Sequence, residues 1–189
     1  MARWDPGTED RLRRAALELF VEHGYDNVTV TQIAERAGIT RRSYFRYFPD
    51  KREVLFAGSE QLPPTIMEAV RNSEEDSAPA IALDAARRVG ILLVDRAGRG
   101  VERRAVIASS PELQERERTK GAAITAALAD ALAERGVAEP GLVARLVSVC
   151  LQEAFERYLD TGEDFGACFD AAVASVRSAA DLFPAPLRP

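Results

Sequence analysis

The stretch Thr40–Phe48, TRRSYFRYF, holds side chains that a protein core does not want. At helical spacing Ile39, Tyr44 and Phe48 share one stripe and can meet Ile33, Ala34 and Ala37 of the preceding segment, so these are expected to be core. The remaining face presents Arg41, Arg42, Phe45 and Arg46 together, with Ser43 and Tyr47 at its flanks. The planar fork of arginine matches the O6 and N7 acceptors of guanine in the major groove, and one well-made bidentate contact discriminates by about 1–3 kcal/mol. An exposed ring such as Phe45 suits a thymine methyl, whereas Thr31, Ser43, Tyr47 and Lys51 offer donors to phosphate oxygens. The first four are therefore candidate base contacts, the second four candidate phosphate contacts, and double-stranded DNA is the partner this chemistry calls for.

Such a face has to be held by other elements. A first helix is expected from about Thr8 to His23, with Leu12, Ala16, Leu19 and Phe20 at helical spacing. Thr31 is expected to cap a short second helix, Gly38 to stop it, and Thr40 to cap a third from Arg41 to about Tyr47. The three-residue turn GIT between the second and third gives helix-turn-helix geometry. Pro49 and Asp50 break the third helix and open a fourth, expected to reach about Met67. Further helices are expected at 80–96, in a short run ending at ASS, at 111–134, at 140–159 and from Asp164 to about Leu182, with no credible strand alternation anywhere. Arg3 is a candidate arm for a minor groove.

Charge supports this division. The chain carries a net charge of −5, yet residues 1–60 hold ten basic and ten acidic side chains, so the deficit lies wholly in the rest. Between Arg36 and Arg52 six basic residues face one acid, Asp50. A local cationic surface on an acidic body is the footprint expected of a phosphate-binding module.

Composition narrows the alternatives. No run of 18 uncharged apolar residues is present to span a bilayer, and the first residues, MARWDPGTED, lack an apolar segment of the secretory kind, so no membrane partner and a cytoplasmic location are expected. Cys150 and Cys168 lack the spacing of a zinc site or disulfide framework. The one histidine, His23, ends the first helix beside Gly24, and no nucleophile, P-loop, dinucleotide or zinc-protease motif occurs. No enzyme activity, metal or cofactor is expected.

The residues VTVTQIAERAGITRRSYFRYFPDKREVLFA resemble the DNA-binding domain of TetR-family transcriptional regulators. The shared pattern is a threonine-rich start to the second helix, Ala-x-x-Ala-Gly followed by an apolar residue, a short recognition helix, a Tyr-x-Tyr-Phe run and a lysine opening helix four. The resemblance covers about residues 8–56 and assigns Arg41, Arg42, Phe45 and Arg46 to the groove and Thr31, Ser43, Tyr47 and Lys51 to phosphates, in agreement with the stripe argument. Arg42 departs from the pattern, since many members have a small residue there. The segment from Glu102 to Gly136, with ASSPELQER, and the later FERYLDTG resemble the C-terminal domain of a TetR subgroup that includes regulators of mycofactocin clusters. That resemblance implies an acyl-CoA-like or other small apolar effector.

The expected fold is thus all-α: a helix-turn-helix DNA-binding domain over residues 1–56 and a helical ligand-binding and dimerisation domain over 57–189. The resemblance places an effector among helices between Leu55 and Leu151, where Leu83, Leu92, Ile107, Ile124, Leu128 and Leu151 can line a cavity with Arg103 at its entrance. In the last two helices Leu146, Val149, Phe155 and Tyr158, then Phe169, Val173 and Val176, recur at helical spacing. They can form a four-helix seam of a homodimer or simply close the chain's own core. Two rivals to an effector-released repressor are a DNA-binding regulator without a small-molecule effector, controlled by a protein partner or constitutive, and a ligand carrier whose helix-turn-helix is vestigial.

Overall fold

The computed structural model describes residues 6–96 and 99–180, and among these it is helical with no strand. Arg3 lies outside the described residues, as does Leu182. The helices are α1 (Pro6–His23), α2 (Val30–Arg36), α3 (Arg41–Tyr44), α4 (Leu62–Arg71), α5 (Ala78–Arg96), α6 (Gly100–Ala108), α7 (Pro111–Glu134), α8 (Pro140–Thr161) and α9 (Phe165–Ala180), with 3₁₀ turns at Glu53–Leu55 and Ser59–Gln61. Pro111 and Pro140 each occupy the first position of their helix, where a missing N–H costs nothing. No helix among the described residues is long and apolar enough to cross a membrane.

The chain divides into two compact units. One comprises Met1–Glu60 with Arg99–Thr119, the other Gln61–Gly98 with Lys120–Pro189. The boundary expected near residue 56 therefore misses the return of α6 and the start of α7 to the first unit. The cause is burial: Val106, Ile107 and Leu113 join Leu12, Leu19, Phe20, Ile33, Tyr44 and Phe56 in one apolar core. In the second unit α4 and α5 pack together, α5 packs on α8 and α9, and Ile66, Val89, Leu128, Leu132, Phe165 and Phe169 lie in its core.

The continuous fourth helix expected from Asp50 to Met67 is not formed. Asp50 Oδ1 accepts the Glu53 N–H at 3.0 Å and starts only a 3₁₀ turn. Gly58 follows at φ +80°, a left-handed conformation that ends helical continuation, and the Pro63–Pro64 pair restarts it as α4.

Candidate nucleic-acid interface

α2 is capped by Thr29 rather than Thr31. Thr29 Oγ1 accepts the Gln32 N–H at 3.3 Å while Gln32 Oε1 accepts the Thr29 N–H at 2.7 Å, a reciprocal box that leaves Thr31 exposed on the helix. Gly38 at φ +74° closes α2, with the Ile39 N–H donating back to the Ala34 carbonyl at 2.9 Å. Thr40 then caps α3, its Oγ1 accepting the Ser43 N–H at 3.1 Å, as expected from the sequence. α3 is shorter than expected: helical geometry ends at Tyr44 and residues 45–47 continue as turns.

One side chain anchors this short element. Tyr44 is fully buried, and its hydroxyl donates to the Asp50 carbonyl at 3.0 Å; burial raises the phenol pKa and keeps it neutral. Phe48 packs beside it, and Ile39 is half-buried against the same core. With that stripe turned inward, Arg41, Arg42, Phe45 and Arg46 are left exposed together. The Phe45 ring meets Tyr44 edge-on at 5.6 Å and 81°, and the Arg41 guanidinium carbon lies 5.1 Å from the Phe45 ring centroid. Among the described residues none of these three arginines has a carboxylate within ion-pair distance.

The candidate phosphate contacts are less uniform. Ser43 Oγ already shares a 3.0 Å hydrogen bond with Thr40 Oγ1, and Tyr47 is half-buried against the core. Lys51 is half-buried too: its Nζ donates to the Tyr25 carbonyl at 2.7 Å and sits 4.0 Å from the Tyr25 ring centroid, and burial lowers its pKa. No α-helix begins at Lys51, so the helix start expected there is absent from the geometry. Two other members of the cationic run are also engaged. Arg36 pairs with Glu22 at 3.1 Å and Glu18 at 3.7 Å, and Arg52 with Asp50, Glu53 and Glu112. Three of the six basic residues between Arg36 and Arg52 therefore form the unpaired patch, and all three stand on or just after α3.

A second arginine cluster, partly invisible in the sequence, stiffens the same unit. Arg116 donates two hydrogen bonds to Glu53 at 2.8 and 2.9 Å, which holds the Glu53 carboxyl below its ordinary range. Arg103 donates to the Leu55 carbonyl at 3.0 Å and to Glu117 at 3.1 Å. The guanidinium carbons of Arg103 and Arg116 lie 5.2 and 4.9 Å from the centroid of the buried Phe56 ring. Arg103, expected at a ligand entrance, is held here by the Leu55 carbonyl and Glu117. Arg116 carries no local signal, because its partner lies 63 residues away.

The expected ligand lining is divided between the two cores. Ile107 belongs to the core of the first unit, Leu92 is exposed, and Ile124 and Leu128 are packed inside the second unit with Leu83 and Leu151 half-buried against it. That unit has a surface recess of about 340 Å³ lined by Arg87, Ile91, Val94, Tyr158, Phe165 and the Gly162–Gly166 turn. The expected dimer seam divides as well. Leu146 and Val149 are exposed on α8 with Leu142 one turn earlier. Phe155, Tyr158, Val173 and Val176 are half-buried against their own core. Phe169 is buried, with its ring 6.2 Å from Phe165, so it closes the unit's own core and is unavailable to a partner.

Residues 12–57, which contain this whole cap-turn-cap arrangement, match the family model described as bacterial regulatory proteins, tetR family. That segment is similar to the DNA-binding part of the TetR family. The curated relatives that share this segment are transcriptional regulators. The HTH-type transcriptional regulator TcmR of Streptomyces glaucescens is 36% identical over 81 residues, 43% of this chain and 36% of its own length. MftR of Mycobacterium tuberculosis (strain ATCC 25618 / H37Rv), named for regulation of mycofactocin biosynthesis, is 43% identical over 47 residues, 25% of this chain and 24% of its own length. The chain thus spans about a third or less of these curated relatives. Among solved structures, FadR of Bacillus subtilis in complex with stearoyl-CoA superposes with a TM-score of 0.63 at 18% identity, covering 88% of this chain and 96% of that one. The likeness extends the fold beyond the DNA-binding part.

Proposed function

We propose that the protein is a transcriptional repressor that acts in the cytoplasm, binds a near-palindromic operator as a homodimer, and is released by an apolar or acyl-CoA-like effector. The observation that carries the DNA-reading part is the exposed, unpaired set Arg41, Arg42 and Arg46 around Phe45, on an otherwise acidic chain whose other described arginines of that region are ion-paired. Arginines left without acids are free to take guanine edges and phosphates. Thr31, Ser43, Tyr47 and Lys51 flank them as the phosphate set, Ser43 and Lys51 by exchanging the intramolecular partners they have now.

The exposed stripe Leu142, Leu146 and Val149 on α8 supports self-association, because three large aliphatic side chains at one helix face gain by mutual burial. The acyl-CoA choice is supported by the FadR neighbour, whose structure contains stearoyl-CoA, and by the resemblance of the C-terminal segment. A second reading, a regulator without a small-molecule effector, draws on a different observation: Ile124 and Leu128 are buried within the core of the second unit.

Fluorescence anisotropy of the full chain on a duplex from upstream of its own gene tests both. If each half-site neutralises about four phosphates, log affinity should fall against log salt with a slope near about −7. Release of the duplex by micromolar stearoyl-CoA supports the effector reading. Salt-dependent binding that stearoyl-CoA leaves unchanged supports the second reading, and salt-independent or absent binding defeats the DNA assignment.

A further inference from the structure

We infer that Arg41 and Phe45 read DNA as a single unit, and that what they select is a guanine next to a thymine in each half-site. The inference rests on the DNA-reading assignment above and names the base step at which that surface discriminates.

Arg41 and Phe45 are one helical turn apart, so their side chains lie one above the other. The guanidinium carbon of Arg41 is 5.1 Å from the Phe45 centroid, and that ring is in turn held edge-on by the fully buried Tyr44. The chain of contacts therefore runs from the core, through a ring fixed to it, to the arginine. Arg42 and Arg46 share the exposed face with no ring stacked on either among the described residues. A guanidinium lying against an aromatic face retains its N–H donors at the edge of its plane, where the bidentate pattern of guanine O6 and N7 is matched. Its side chain also loses fewer rotamers on docking, because the stacked geometry exists beforehand.

Phe45 itself cannot hydrogen-bond, yet it is 43% exposed beside that fork. The apolar group that the major-groove edge of a base pair offers is the thymine C5-methyl. Successive bases rise about 3.4 Å along a strand, and the twist of the groove adds to that spacing. Two groups 5.1 Å apart on adjacent turns of one face are accordingly suited to neighbouring base pairs, guanine for the fork and thymine for the ring. Arg42 and Arg46, lacking a ring support, adapt to a base or a phosphate and do not set this step.

The test is selection of binding sites from randomised duplexes by the full chain, followed by anisotropy on the selected site with single-atom changes. The expected winner contains adjacent guanine and thymine in both half-sites. Replacing that guanine by 7-deazaguanine, which removes the N7 acceptor, should weaken binding by about 5- to 150-fold. Replacing that thymine by uracil, which removes the methyl, should weaken it by about fourfold. Phe45→Ala should abolish the response to uracil and blunt the response to 7-deazaguanine with an unchanged unfolding midpoint, whereas Phe45→Leu should keep the first and blunt the second. A selected site without the guanine–thymine step, or responses identical in wild type and Phe45→Ala, overturns the paired reading while the DNA assignment stands. No enriched site and no salt-dependent binding overturns the DNA assignment and this inference with it.

Discussion

Phe45 and Phe56 both carry guanidinium groups over their rings in the same compact unit, and they differ in what surrounds them. Phe45 is exposed, has Arg41 as its one guanidinium neighbour among the described residues, and that arginine has no paired carboxylate there. Phe56 is buried between Arg103 and Arg116, whose donors are taken by Glu117, the Leu55 carbonyl and Glu53. The contact chemistry is shared, so the difference lies in the acids. Where carboxylates saturate the guanidinium the cluster is a rivet; where they are missing the donors remain available to an anionic or acceptor-rich partner.

The comparison can be broken by removing each ring. Phe56→Ala should cost about 3–5 kcal/mol of stability, because a buried ring leaves a cavity and strips two cations of their shared face; chemical denaturation with an unchanged m-value would measure it. A loss no larger than that of an exposed substitution would show that the buried cluster is not a rivet. Arg116→Met, which keeps the apolar stem over Phe56, should cost about 2 kcal/mol through the two lost hydrogen bonds to Glu53, and should leave base preference in a binding-site selection unaltered. Arg41→Ala should do the reverse, weakening operator affinity by about 1–3 kcal/mol at one base pair in anisotropy titrations with the unfolding midpoint retained.

A smaller effect sharpens the same contrast through pH. The Arg116 hydrogen bonds hold the Glu53 carboxyl below its ordinary 4.5. Since the folded pKa lies below the unfolded one, Glu53 contributes stability that is present above pH 4.5 and lost as the pH falls through the folded value. Acid titration of the wild type should therefore lose stability below pH 4.5 more steeply than Arg116→Met; parallel curves would detach Glu53 from the cluster. Smallest of all, Arg36→Ala removes a surface pair with Glu22 and should leave both the unfolding midpoint and base preference in place.

The comparison also marks how far local sequence reaches. The face Arg41, Arg42, Phe45 and Arg46 was legible because a short helix has only one side that Ile39, Tyr44 and Phe48 can bury, and the structure leaves those four exposed. The phosphate set was less legible. Side chains at Ser43 and Lys51 have the right chemistry, but whether a hydroxyl or ammonium is already bonded depends on Thr40 Oγ1 and the Tyr25 carbonyl. Thr29 and Thr31 are both plausible caps two residues apart, and only the reach of Gln32 back to the Thr29 N–H decides between them. The expected cavity lining was less legible for a different reason: apolar side chains in α5, α6 and α7 can be read as inward, but not which of two cores they enter, as Ile107 and Ile124 show.

The sequence by itself determined the all-helical class, the prolines that open α7 and α8, the Thr40 cap and the inward stripe of α3, because each depends on neighbours within one or two helical turns. Tertiary structure alone decided that residues 99–119 return to the first unit and that Ile107 joins its core. It also paired Arg116 with Glu53 across 63 positions and Tyr25 with Glu112 across 87. Those outcomes rest on which apolar surfaces and charges meet after the chain has folded back on itself. For that reason the exposed face of α3 was readable from the sequence, whereas the engagement of Arg36, Lys51 and Arg52 by distant partners was not.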